Sequence, residues 1–375
     1  MRECDFLIIG AGIAGASAAY HLCKKGSVII LEREHQPGYH STGRSAAVFT
    51  ENYGPRLMRV MSKVSGPFFR DPPPGFTDVP LLHTLGVLFV ANADQVQSLE
   101  SLVAELAELS DTIHSVDTNK ISELAPALRQ DYVATAAYDP STMDMDVNSI
   151  HTGYLRSARA HGLEVVNNAE VSALEYVNGK WLATTPVGQY AAPVVINAAG
   201  AWADVIAEMA GARPIGLVPK RRTAIVFDPP AGVDVKRWTA VVDCQEQWYY
   251  KPDAGQVLAS PADETPVAPQ DIQPEELDIA VLVDRIQVVT TMEIKRINRS
   301  WAGLRSFVDD KCPVVGFAPD VEGIFWLAGQ GGYGIQTSYA LGLTAASLLQ
   351  GDGVPRAVAA FNVSEADLGP QRLWR

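Results

Sequence analysis

Phe6-Leu7-Ile8-Ile9 is a short apolar run whose length predicts a strand. Gly10-Ala11-Gly12-Ile13-Ala14-Gly15 follows at once, and small or apolar residues at Ala16, Ala18, Ala19, Tyr20 and Leu22 continue as a helix. Val28-Ile29-Ile30-Leu31 is a second apolar strand, closed by Glu32. Strand, glycine turn, helix and strand in this order make a βαβ unit.

The pattern then loosens. Gly38 to Ala47 is rich in glycine and serine and predicts a loop, and Asp71-Pro72-Pro73-Pro74-Gly75 is a turn-forming break. A strand is expected near Val87 to Val90 and an acidic helix through Ser98 to Leu109. Val165-Val166 and Trp181-Leu182-Ala183 read as short strands. Val194 to Gly200 reads as a buried strand ending in a small-residue turn, with a helix over Ala201 to Ala210. Arg222 to Phe227 and Trp248 to Pro252 are further strands, and Pro274-Glu275-Glu276 starts a helix that runs to Thr290. Ile324 to Leu327, a glycine cluster and a helix through Ser338 to Leu349 then repeat the opening pattern. The expected fold is α/β (α+β). Residues 1–80, 145–218 and 301–375 form a discontinuous Rossmann-like domain, and 81–144 and 219–300 form a smaller substrate-binding domain with an antiparallel or mixed sheet.

Composition narrows the class. The chain has 375 residues, 47% hydrophobic and 19% charged, which suits a soluble protein of two structural units. A formal net charge of -13 argues against nucleic acid or an acidic membrane surface as the main partner, though not against a small anion held by local arginines. Cys4, Cys23, Cys244 and Cys312 form no CxxC pair, so free thiols are expected, with neither a disulfide framework nor a metal site. No stretch has the length of an integral membrane helix and no secretory pattern is present. A cytoplasmic protein is expected, with room for peripheral contact with an inner-membrane electron acceptor.

Gly10, Gly12 and Gly15 fit the dinucleotide fingerprint: one for the tight turn, one for close approach of backbone to a pyrophosphate, one for helix-on-strand packing. Glu32, at the second strand end, can accept hydrogen bonds from a ribose. Three features favour FAD over NAD. The fingerprint lies at the extreme N-terminus, Ser41-Thr42-Gly43-Arg44-Ser45-Ala46-Ala47 follows the second strand, and Gly329 to Gly334 precedes a late helix. That late helix start offers backbone N–H groups and a positive dipole end to a reduced flavin.

At these residues the chain resembles the D-amino-acid oxidase superfamily, which includes glycine and sarcosine oxidases, and most of all the bacterial D-arginine dehydrogenase family. The resemblance covers nearly the whole chain. It rests on the fingerprint, Ser41 to Ala47, Val195 to Trp202, Pro219-Lys220-Arg221-Arg222, Tyr249 to Asp253, Trp301 to Phe307 and Gly329 to Ser338. It implies non-covalent FAD, since Cys312 is displaced from the position where relatives attach flavin. It further implies cofactor contacts from Ile13, Ala14, Arg33, Ala199, Gly200, Trp202, Gly303, Gly331, Gly332, Tyr333, Ile335, Gln336 and Thr337. The implied reaction is oxidation of a D-amino acid to an imino acid, which hydrolyses to a 2-oxo acid and ammonia. The electron acceptor is a quinone or oxygen.

Removing a hydride from an alpha carbon requires that C–H to be aimed, and a carboxylate gripped by arginine is a natural handle. Arg222 and Arg305 lie in strand-like, apolar settings and by resemblance contact that carboxylate. In Arg221-Arg222 one side chain is expected to face solvent and the other the site. The resemblance makes Tyr249 a further carboxylate donor, Tyr53 a lid over substrate, and the Gly332 carbonyl an acceptor for the substrate amine. No histidine is nominated as a base. Val48, Thr50, Val87 and Val242 are expected to line the substrate side-chain pocket. D-arginine dehydrogenases carry an acidic residue where Val87 stands and a histidine where Val48 stands, so neutral or apolar side chains are expected here. A secondary-amine oxidase of the glycine, sarcosine or proline type, an NAD-dependent dehydrogenase, and a flavoprotein subunit without turnover remain as alternatives.

Overall fold

The computed structural model describes residues 1–108 and 110–374. The opening unit forms as Phe6–Ile9, Ile13–Leu22 and Val28–Leu31. It lies within a six-stranded sheet in the order Glu164–Val166, Val28–Leu31, Phe6–Ile9, Val194–Asn197, Ile324–Ala328, Val314–Phe317. The first five strands are parallel and the last is antiparallel. These strands are apolar without alternation because both faces are covered. Ile8, Ile30, Ile196 and Phe325 pack beneath helices Ile13–Leu22, Val147–Arg159 and Ser338–Leu349. On the other face, Leu7, Val195 and Trp326 meet Trp181 and Tyr190. Those two belong to a four-stranded sheet of Arg2–Glu3, Gly188–Ala192, Lys180–Thr185 and Ala173–Val177.

A second sheet has nine strands. Val218–Phe227 pairs with Ile297–Phe307 over their whole length, from Val218 opposite Phe307 to Phe227 opposite Ile297. The domain boundary expected between residues 300 and 301 therefore falls inside a hydrogen-bonded strand, and residues 301–307 go with this sheet. Gln256–Ser260, Tyr249–Asp253, Ala240–Asp243, Val87–Ala91, Thr135–Asp139 and His114–Val116 continue it, and the Ala240–Val87 junction is parallel, so the sheet is mixed as expected. Helix Glu276–Val289 lays Leu282, Ile286 and Val289 against Ile225, Trp248 and Tyr250 on one face.

Several element ends differ from expectation. The acidic helix is Val96–Leu106, starting two residues earlier than expected, directly after a 3-10 turn Ala93–Gln95 that carries a capping box on Asn92, and Leu109 lies outside the described residues. Gly200–Trp202 is a 3-10 turn before the helix Ala203–Met209. Among the helices that the sequence pattern does not predict, the longest are Arg56–Arg70 and Val147–Arg159; the second is capped by Asp146 accepting from the Ser149 N–H at 2.8 Å.

Candidate active site

A cavity of about 340 Å³ is lined by residues of both large sheets. On one side are the turns that follow the parallel strands, where Gly10 has φ +104 and a Cβ there would lie 2.5 Å from the Ala198 carbonyl oxygen. A Cβ on Gly15 would lie 2.0 Å from the Gly10 carbonyl oxygen, so only glycine lets this helix sit on its own turn. Gly12 caps the helix without a side chain. The Ile13 N–H donates to Thr42 Oγ1 at 3.0 Å, and His151 Nε2 meets the Ala11 carbonyl at 2.8 Å, which steadies the loop from below. Glu32 is buried and accepts from the Ala11 N–H at 2.8 Å and the Glu34 N–H at 3.0 Å. Burial pushes its carboxyl up, against the pull of those N–H groups.

The loop from Ser41 to Ala47 is stapled to the opposite sheet. Ser41 Oγ donates to the Leu304 carbonyl at 2.7 Å, Arg44 Nη1 to the Ile272 carbonyl at 2.8 Å, and Trp301 Nε1 to the Arg44 carbonyl at 2.9 Å. Gln336, buried at the far wall, accepts from the Thr50 N–H at 3.1 Å, while its Nε2 has no partner. The side-chain-free helix start and the buried carboxylate at a strand end border one cavity, which Gln336 also lines. That arrangement fits a dinucleotide.

The other side carries the cations. Lys220 stands opposite Arg305 and Arg222 opposite Gly303, so Arg222 and Arg305 are diagonal neighbours on one face of the sheet. Gly303 and Arg222 both line the cavity, with Arg44 packed against Gly303. Arg222 Nε donates to the Asp263 carbonyl at 2.8 Å and Nη2 to Glu264 Oε1 at 3.3 Å. Arg305 differs: its side chain has one hydrogen-bond partner among the described residues, the Tyr53 hydroxyl at 3.4 Å, and no carboxylate partner. Burial opposes its charge, but Tyr53 and Tyr249 beside it hold the guanidinium protonated. Burial pushes the Tyr53 phenol up, against the pull of Arg305. Such a charge requires an anion to complete it.

Arg221, expected to face either solvent or the site, does neither. It is 4% exposed, on the opposite sheet face from Arg222, and its guanidinium meets Asp263, Glu275 and Asp278 beneath the Glu276–Val289 helix. Alternation along the strand decides which arginine reaches the cavity, and acids distant in sequence bury the other.

Most of the expected site residues line the cavity: Gly10, Gly12, Ile13, Ala14, Glu32, Arg33, Ser41, Thr42, Arg44, Ser45, Ala46, Ala47, Ala199, Gly200, Trp202, Gly303, Gly331, Gly332, Gly334, Ile335 and Gln336, with Arg222, Arg305, Tyr53 and Tyr249. Three others stand behind its surface. Gly15 packs on the turn, Tyr333 is edge-on to Tyr53 with centroids 4.9 Å apart, and Thr337 Oγ1 donates to the Tyr333 carbonyl at 2.9 Å. Of the four expected pocket residues, Val48 lines the cavity but Thr50, Val87 and Val242 do not. Thr50 is turned into its own loop, where Oγ1 accepts from the Asn52 N–H at 3.0 Å. Val87 and Val242 share an apolar cluster with Leu85, Leu99 and Leu106, which covers them. His40, passed over in the sequence, also lines the cavity beside Trp202, at 4.8 Å between centroids. Its place beside Ser41 in the loop was the available signal.

Known proteins share this fold. The chain is 25% identical to the hydrogen cyanide synthase subunit HcnC of Pseudomonas aeruginosa, covering 96% of this chain and 95% of that one. Its fold superposes on glycine oxidase of Geobacillus kaustophilus with a TM-score of 0.82 at 20% identity, covering 93% and 95% of the two chains. L-proline dehydrogenase of P. horikoshii superposes equally well, with a TM-score of 0.82 at 19% identity over 100% and 98%. The family model described as DAO, FAD dependent oxidoreductase, matches residues 5–348. That match spans most of the chain, and the chain belongs to the DAO family of FAD-dependent oxidoreductases.

Proposed function

We propose that the protein oxidises the amine of a small D-amino acid with a neutral or apolar side chain. The observation that carries this reading is Arg305, half-buried at the cavity wall with no carboxylate of the described residues to neutralise it. Arg305 and the free edge of Arg222 bind the substrate carboxylate as paired donors. The Tyr249 hydroxyl adds a further donor, and Tyr53, with Tyr333 packed against it, covers the bound acid. The Gly332 carbonyl accepts from the substrate amine, fixing the alpha C–H toward the cofactor wall. The glycine turns and Glu32 would hold FAD, which when bound would supply the acceptor for the hydride equivalent leaving the alpha carbon. No histidine or carboxylate acts as base; an amine bound neutral needs none.

D-configuration rests on the resemblance to D-arginine dehydrogenases. The preference against cationic side chains rests on Val48, which lines the cavity, and on the apolar cluster behind it where Val87 stands. A second reading, oxidation of glycine or a secondary amine such as proline, is favoured by the likeness to glycine oxidase and L-proline dehydrogenase. We favour a quinone over oxygen as the acceptor on the same family resemblance. Among the described residues no helix is long and apolar enough to cross a membrane. Anaerobic mixing of the holoprotein with single amino acids tests the reading. Bleaching of the flavin band by D-alanine or D-valine supports it. Bleaching only by proline or N-methylated amino acids selects the second reading.

A further inference from the structure

We propose that Asn52 is a positioning residue: by anchoring its loop on Asp139 it pins the Tyr53 hydroxyl beside Arg305. The inference rests on the carboxylate-binding role given above to Arg305. Asn52 is 2% exposed and Asp139 0%. Asn52 Nδ2 donates to Asp139 Oδ2 at 2.8 Å. Asp139 also accepts from Thr112 Oγ1 at 2.8 Å, the Ser141 N–H at 2.9 Å, Ser141 Oγ at 2.6 Å and Thr142 Oγ1 at 3.3 Å. Among the described residues no cation pairs with it, so donors alone hold this buried carboxylate. A carboxylate only accepts, so the NH2 of the Asn52 amide must face it, and the bond is charge-assisted.

The anchor matters because of what it holds. Residues 50–54 link strand Val48–Phe49 to helix Arg56–Arg70. One end of this loop is tied to the cofactor wall through the Thr50 N–H and Gln336. The other end is tied through Asn52 to the last residue of strand Thr135–Asp139 in the nine-stranded sheet. The next residue is Tyr53, whose hydroxyl is 3.4 Å from Arg305 Nη1. A phenol on an unpinned loop would have to be ordered anew each time an acid binds.

The test uses FAD-loaded protein and propanoate as a substrate-shaped anion, its binding followed by perturbation of the flavin band. Asn52→Ala is expected to weaken propanoate binding roughly tenfold, with flavin content unchanged and faster amide exchange confined to residues 50–54. Asn52→Asp, which sets two carboxylates face to face, is expected to bind worse still. The exchanged pair, Asn52→Asp with Asp139→Asn, restores the amide–carboxylate bond and should recover binding to within about threefold of the parent. Propanoate affinity in Asn52→Ala within about twofold of the parent, or an exchanged pair that holds flavin yet does not recover, overturns the proposal. If the exchanged pair does not hold flavin, Asn52→Ala alone decides. Arg305→Ala separates the two ideas. Loss of binding there with none in Asn52→Ala removes only the anchor; no loss in Arg305→Ala removes the carboxylate reading itself.

Discussion

Gly332 lies directly beneath Arg305: a methyl group on its Cα would stand 2.8 Å from both the guanidinium carbon and Nη1. The glycine at this place is therefore required by the arginine it supports rather than by its own backbone. Gly331 beside it is different, with φ +55, and a Cβ there would stand 2.2 Å from the Phe307 ring. Gly332→Ala should displace the guanidinium and reduce kcat/KM by about 10²-fold, the usual scale for a misplaced positioning group. Steady-state kinetics beside the flavin-to-protein ratio checks this, with the ratio expected to hold.

Arg221 and Arg222 should separate stability from activity. Arg221→Ala leaves Asp263, Glu275 and Asp278 without their shared cation and should cost about 3–5 kcal/mol in denaturant unfolding. Arg222→Ala should lower kcat/KM through a weaker hold on the carboxylate, with a smaller loss of stability because Glu264 keeps Lys220 as partner at 3.0 Å. Unfolding curves and kinetics measured on both variants distinguish them.

That pair also shows how far the sequence could be read. Strand alternation made it legible that only one of two adjacent arginines reaches the site. It could not show the acids that bury the other, because these come from residues 263–278 and meet Arg221 only once the helix folds over the sheet. The βαβ unit was legible because its strand, glycines and helix are contiguous, and the Ser338–Leu349 helix was read to the residue. The helix Arg56–Arg70 was missed although Met58, Met61, Ser65, Phe68 and Phe69 form a buried stripe; the proline run from Pro72 to Pro74 just after it is the one feature there that was read. Val87 and Val242 were placed in the pocket by resemblance, which gives chain position but not the cluster that covers them.

Substrates with cationic side chains should be poor. A guanidinium or ammonium beside Val48, with no carboxylate to meet it, should lower kcat/KM for D-arginine and D-lysine by roughly 10²-fold relative to D-valine. A panel of D-amino acids at fixed pH reads this directly.

His21 gives a pH dependence of stability. Burial, aided by Lys24, lowers its imidazole from 6.5 to about 4, and its Nε2 has no partner. The unfolded chain takes up this proton first as the pH falls, so the contribution is complete above pH 6.5 and is lost between 6.5 and about 4. The loss is on the order of 1.4 kcal/mol per pH unit across that window. Unfolding free energies measured from pH 7 to 4 should fall less steeply in His21→Phe than in the parent.

The role of the Arg305 charge is tested most directly by removing its partner from the substrate. Anaerobic reduction of the bound flavin by D-valine should exceed reduction by isobutylamine, the same molecule without its carboxylate, by at least about 10²-fold, and Arg305→Ala should erase most of that difference. Equal rates for acid and amine in the parent protein, or an unchanged ratio in Arg305→Ala, would contradict the account.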